Sequence, residues 1–213
     1  MRLASQVCLG AVLLTGTAAM AQDIQPYQPP PRGGYDTTYR RHFGFYIRPD
    51  VGFGYQTSSE SGVSLSGPAA SIGLAIGEAL SENSILAGHL FGSGVSNPSV
   101  SGPGISGTAN DTSFTMSGIG LQYTRYFMPS NLYLSTTLAL TRMRSTTPRG
   151  DFDSDSGIGG RVSFGKEWWV GDHWGLGLVG HLSFSANQDP VPGGGSNSLT
   201  TWAFSAAFSA TYN

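Results

Sequence analysis

Few residues in this chain are equipped for chemistry, and their spacing is informative. His181-Leu182-Ser183 sets an imidazole two positions before a hydroxyl. A histidine base activates a serine nucleophile when a carboxylate orients the ring. The next acid, Asp189, falls in a segment of Pro and Gly, so the pair lacks an evident third member. Arg48, Asp50, Arg161 and Glu167 are charges set in largely apolar stretches, with His89 and His181 in similar settings. They read as an ion-pair switch or as a satisfied polar network. Charges in such surroundings need partners, and the network is the reading adopted. Asp151, Asp153 and Asp155 alternate as D-x-D-x-D. They offer oxygens of the kind calcium takes but lack the rest of an EF-hand loop, so a solvated acidic loop is expected. Pro192-Gly193-Gly194-Gly195 follows no strand-to-helix pattern and is no phosphate loop. Asn110-Asp111-Thr112 matches a glycosylation acceptor only formally.

The elements that must position these groups show a period of two, the signature of strands with two different faces. Odd positions of 43–55 run Phe43, Phe45, Ile47, Pro49, Val51, Phe53, Tyr55; the even ones include Arg48 and Asp50. Even positions of 174–184 and 202–212 are apolar in the same way, through Trp174, Leu178, Phe184, Trp202, Phe204 and Tyr212. Segments 70–76, 119–127, 132–140 and 158–168 repeat the pattern. In 84–91 both parities carry apolar residues, and the register stays open. Eight strands result. Connections at 81–83, 129–131 and 171–173 are tight. Those at 57–69, 92–112, 144–156 and 185–199 are long and rich in Gly, Ser, Pro and Asn. Strict alternation of short and long connections belongs to a membrane barrel. Pro49 removes a ladder donor and predicts a bulge in the first strand.

Composition says which face meets lipid. The 213 residues hold 31 Gly and are only 11% charged, with a net charge of -2 that excludes a basic nucleic-acid footprint. The less apolar face is small and neutral, as in Thr201, Ala203, Ser205, Ala207, Ser209 and Thr211. That suits a crowded lumen rather than a solvated surface. Aromatics gather at both strand ends: Phe43, Phe45, Phe127, Tyr133, Trp168, Trp174 and Tyr212 at one, and Tyr55, Phe91, Phe114, Phe184 and Trp202 at the other. Two such girdles are what headgroup regions select. Glu78, Arg125 and Lys166 share the lipid-facing parity but lie near the short turns, where they reach water.

The first residues are an address. Arg2, the apolar run Val7–Leu14 and Ala19-Met20-Ala21 form a secretory signal over 1–21, cleaved before Gln22. The one cysteine, Cys8, lies inside it, so no disulfide or cysteine-built metal site is expected. Residues 22–42 hold Pro29-Pro30-Pro31 and read as an extended periplasmic lead-in.

Over 43–213 the chain resembles small eight-stranded outer-membrane β-barrels of the OmpA/OmpX type, and 164–178 resembles their periplasmic hairpins. The chain departs from that class in placing Tyr212 next to last, with Asn213 terminal. The resemblance implies an all-β, antiparallel transmembrane barrel with short periplasmic turns and long extracellular loops. It implies a monomer in the outer membrane of a diderm bacterium, partnered by outer-membrane lipid, lipopolysaccharide and the barrel-insertion machinery. No cofactor, metal or catalytic residue is assigned. The expected role is non-enzymatic, structural or a surface interaction through the loops 57–69, 92–112, 144–156 and 185–199. Eight strands leave room for side chains but not for an open pore. His181-Leu182-Ser183 also resembles the His-x-Ser element of outer-membrane lipid A deacylases. This alternative is opposed by a register that turns both side chains inward. A secreted soluble barrel, with the apolar face inside around a small ligand, is the other alternative.

Overall fold

The computed structural model of the chain describes residues 41–190 and 195–213. The signal segment 1–21, residues 22–40 of the lead-in and Pro192 to Gly194 lie outside them. Eleven strands follow: β1 (Phe45–Glu60), β2 (Val63–Ser81), β3 (Ser84–Ser96), β4 (Ser99–Gly102), β5 (Ile105–Thr108), β6 (Ser113–Phe127), β7 (Leu132–Thr147), β8 (Gly150–Asp153), β9 (Gly157–Trp169), β10 (Trp174–Pro190) and β11 (Ser196–Tyr212). Eight of them close a barrel in the order β1, β2, β3, β6, β7, β9, β10, β11, and β11 pairs back on β1. Every pairing is antiparallel.

Register fixes the shape. Crossing the ladders from Ile47 through Ile76, Leu121, Gly160 and Trp202 returns to β1 at Thr57, ten residues further on. A stagger of that size tilts the strands by roughly 40° and leaves an eight-stranded lumen only side-chain wide. The tight connections gather at one end, where Asn83 and Asn131 take left-handed φ values of 65° and 53°. Asn tolerates that region better than most residues, which suits these positions.

The apolar face points outward. Phe53, Leu138 and Phe208 are 78%, 71% and 71% exposed, while Arg48 and Arg161 across the same walls are 1% exposed. That overturns the soluble-barrel alternative, because water would meet a continuous apolar belt. Closure also pairs the strand backbones, as lipid requires. The chain is an all-β transmembrane barrel of outer-membrane type. Arg125 and Lys166 reach the carbonyls of Glu82 and Ser130 in the short turns, at 3.3 and 2.9 Å.

Three readings change, and one left open is resolved. The stretches taken as loops are largely strand: β1 and β2 run on to a turn at Ser61-Gly62, and β4, β5 and β8 form sheet flaps in the second and third connections. About 9–11 residues cross a bilayer, so the 19 residues of β2 stand well above it. Second, β3 turns Ile85, His89 and Phe91 inward and Leu86 and Leu90 outward. Third, Phe91, Phe114 and Tyr133 are not girdle residues: they are 5%, 2% and 0% exposed, inside the barrel. Glycines opposite make the room, since a Cβ at Gly118 would lie 2.5 Å from the Phe91 ring and one at Gly165 2.5 Å from Tyr133. Fourth, Pro49 produces no bulge. The β1–β11 ladder skips Arg48 and Pro49 and resumes in the same register, Ile47 with Tyr212 and Asp50 with Ser209.

Candidate functional site

Inward-facing side chains fill the lumen in tiers. At the short-turn end His42 caps it, stacked on Tyr126 at 3.6 Å and 17°. Its Nε2 meets Asn131 Oδ1 at 2.8 Å, and its Nδ1 meets the Asn213 amide at 2.8 Å. The neutral ring with its proton on Nε2 satisfies both contacts. Burial pushes the His42 pKa down from 6.5 to about 4. A depressed histidine stabilises the fold above the unfolded value and loses that contribution as pH falls. Between pH 6.5 and 4 the barrel is therefore expected to lose about 3 kcal/mol relative to His42→Gln, from 1.36 kcal/mol per pKa unit. Parallel urea titrations in lipid vesicles check this. Equal pH slopes for the two proteins would refute it.

Above the cap, Glu167 accepts hydrogen bonds from Tyr126 and Thr211 hydroxyls at 3.1 and 2.6 Å. Arg48 donates to Gln122 at 3.1 Å, and its guanidinium lies 4.6 Å from the Tyr133 ring centre. The next tier holds Asp50. Its carboxylate stands 3.2 Å from His181 Nε2 and 3.9 Å from Arg161, in a recess left by Gly73. Ser163 Oγ meets His181 Nδ1 at 2.8 Å, and Arg161 Nε donates to Ser183 Oγ at 2.9 Å. His89 meets Thr137 and Gln122 at 2.8 and 3.1 Å. Two buried arginines and two buried carboxyl groups thus share one interior. Toward the other end an apolar plug follows, including Phe91, Met116, Phe114 and Met143.

The sequence placed Arg48, Asp50, Arg161, Glu167, His89 and His181 inside, and the structure puts all six there. It does not bring His181 and Ser183 together. Residues two apart on a strand are separated by about 6.6 Å of rise, whereas directly opposed residues sit about 4.5–5.5 Å apart. Register sets Ser163 opposite His181 and Arg161 opposite Ser183, and each cross-strand partner captures its neighbour. The sequence reading missed the resulting Ser163–His181–Asp50 chain. Its members share inward parity, but only register brings them into contact. Ser163 and His181 are 1% and 4% exposed and line neither cavity described below.

Asp153 of the D-x-D-x-D run is occupied by Arg144, at 2.9 and 3.2 Å. Among the described residues no group of three or more metal-ligating side chains is assembled. Asn110-Asp111-Thr112 is a turn, tied by the Asp111 amide to Asn97 Oδ1 at 2.9 Å. Two cavities stand out. One of about 1010 Å³ is lined mostly by apolar residues of the wall around Pro49, including Val51, Ile72, Leu178 and Phe208. The other, about 220 Å³, opens at the hairpin end between Leu65, Phe114, Met143 and Leu199 below and Glu60 and Asp189 at its edge.

No family model and no curated protein matches the chain. Among solved structures it is similar to Neisserial surface protein A: 20% identity, TM-score 0.48, covering 79% of this chain and 96% of that one. It is also similar to the outer membrane protein OprG from Pseudomonas aeruginosa: 12% identity, TM-score 0.45, covering 82% and 99%. A third is the outer membrane protease OmpT from Escherichia coli: 11% identity, TM-score 0.40, covering 79% and 97%. By their names these include a surface protein and a protease. The chain's own geometry is that of a closed transmembrane barrel, plugged by its side chains and crowned at one end by sheet.

Proposed function

We propose that this protein is a non-enzymatic outer-membrane anchor whose tall hairpins form an interaction surface outside the cell. The observation that supports it is the asymmetry of the ends. Tight turns close one, while β1–β2, β4–β5, β8 and β10–β11 project from the other. A filled lumen gives the strands no transport role to serve. Rigid frames commonly carry recognition on their connections. The short turns face the periplasm in this reading, and Arg41 of the lead-in holds Glu82 there by an ion pair.

Single cysteines test the orientation. Gly107, on the exposed β5, has open space around a new Cβ, and Ser130 sits exposed in a short turn. A membrane-impermeant maleimide is expected to label Gly107→Cys on intact cells, and Ser130→Cys only after permeabilisation. The unsubstituted chain serves as background. Labelling of Ser130→Cys alone on intact cells would reverse the orientation, and labelling of neither after lysis of the outer membrane would place the protein elsewhere.

A further inference from the structure

The cleft at the hairpin end combines features that select one class of ligand. Its floor is the top of the apolar plug, Phe114 and Met143, joined by Leu65 and Leu199, with Phe152 of β8 beside them. Its edge carries Glu60 and Asp189, whose carboxyls stand against each other with Asp155 nearby. Arg144 also lines it, but that guanidinium is engaged by both oxygens of Asp153, and Arg142 adds a second cation to the same carboxylate at 3.6 Å. Glu60 accepts from Asn197 Nδ2 at 2.9 Å, and its carboxyl also hydrogen-bonds that of Asp189. Among the described residues neither Glu60 nor Asp189 forms a salt bridge. Two adjacent carboxyls, partly withdrawn from water above an apolar floor, share a proton until a cation displaces it. Aromatic rings at floor and side favour a cation with little hydration.

We infer that the cleft binds a small organic cation bearing one apolar group, with the ammonium between Glu60 and Asp189 and the apolar group on Phe114 and Met143. The inference takes from the display reading only that such a ligand would come from outside the cell.

The probe is benzyltrimethylammonium, titrated into full-length protein in lipid nanodiscs while the Met143 methyl resonance is followed by carbon-13 NMR. A saturable shift is expected, with benzenesulfonate leaving the resonance unmoved. Glu60→Gln/Asp189→Asn should weaken binding roughly tenfold or more, as loss of a charge pair does. Leu199→Trp, which fills the cleft at constant charge, should abolish it. Closed-form gel mobility confirms that each variant is folded. Absence of saturation in the parent, equal affinity in both variants, or an equal response to the sulfonate would overturn the proposal. The titration is blind to orientation in the cell, so its failure removes the cleft and leaves the display reading to the labelling experiment.

Discussion

Asp50→Ala is expected to lower the unfolding free energy of the barrel by about 3–5 kcal/mol, the usual cost of stripping one partner from a buried ion pair. Among the described residues Asp50 is the only carboxylate within 4 Å of Arg161 and also of His181, at 3.9 and 3.2 Å. Without it, Arg161 keeps Ser183 and the face of Phe91, 4.5 Å from the ring centre. A hydroxyl and a ring do not replace a counter-charge in so dry a place. The double variant Asp50→Leu/Arg161→Met should recover most of the loss, because apolar residues of similar volume often replace a buried pair at little cost. Urea unfolding in vesicles, read as the gel shift between closed and open forms, measures both. A single variant within about 1 kcal/mol of the parent would show that the lumenal charges are hydrated rather than paired.

Gly54→Ala is expected to cost about 3 kcal/mol or more, at the upper end of overpacking effects. A Cβ there would fall on the Phe204 carbonyl oxygen of β11, and one at Gly52 on that of Ala206. The obstacle is backbone in a hydrogen-bonded ladder, which cannot swing aside like a long side chain. Both glycines lie where β1 meets β11, so the damage falls on closure itself. Gly107→Ala, where a Cβ meets nothing within 4 Å, is the control and should stay within about 0.5 kcal/mol of the parent. A closed-form band of parental stability for Gly54→Ala would mean that the strands at this seam separate freely.

Parity was legible in the sequence, and parity was enough for the fold. Alternation over 43–55 alone puts Arg48 and Asp50 inside and the exposed Phe53 and Val51 outside. Register was not legible. It depends on how far each strand slides against the next, and a chain with long glycine-rich connections does not announce that distance. Hence His181 was paired with Ser183, its neighbour in sequence, rather than with Ser163, its neighbour across the ladder. Phe91, Phe114 and Tyr133 misled for another reason. Size alone assigned them to the lipid face, but a narrow lumen accepts a ring where its register partner on the next strand is glycine, as Gly118 is for Phe91 and Gly165 for Tyr133.

The ladder that closes the barrel joins residues far apart in the chain: Ile47 pairs with Tyr212, 165 positions later. Until that last ladder zips, β1 and β11 each present an open row of amides and carbonyls that lipid cannot satisfy. Pairings of such long range are also the slowest to form. The intermediate that lacks only this seam is therefore the species most in need of shelter. A helper that covers those two edges, and lets go as they meet, would do more for the yield of folded protein than any number of stabilising contacts elsewhere in the wall.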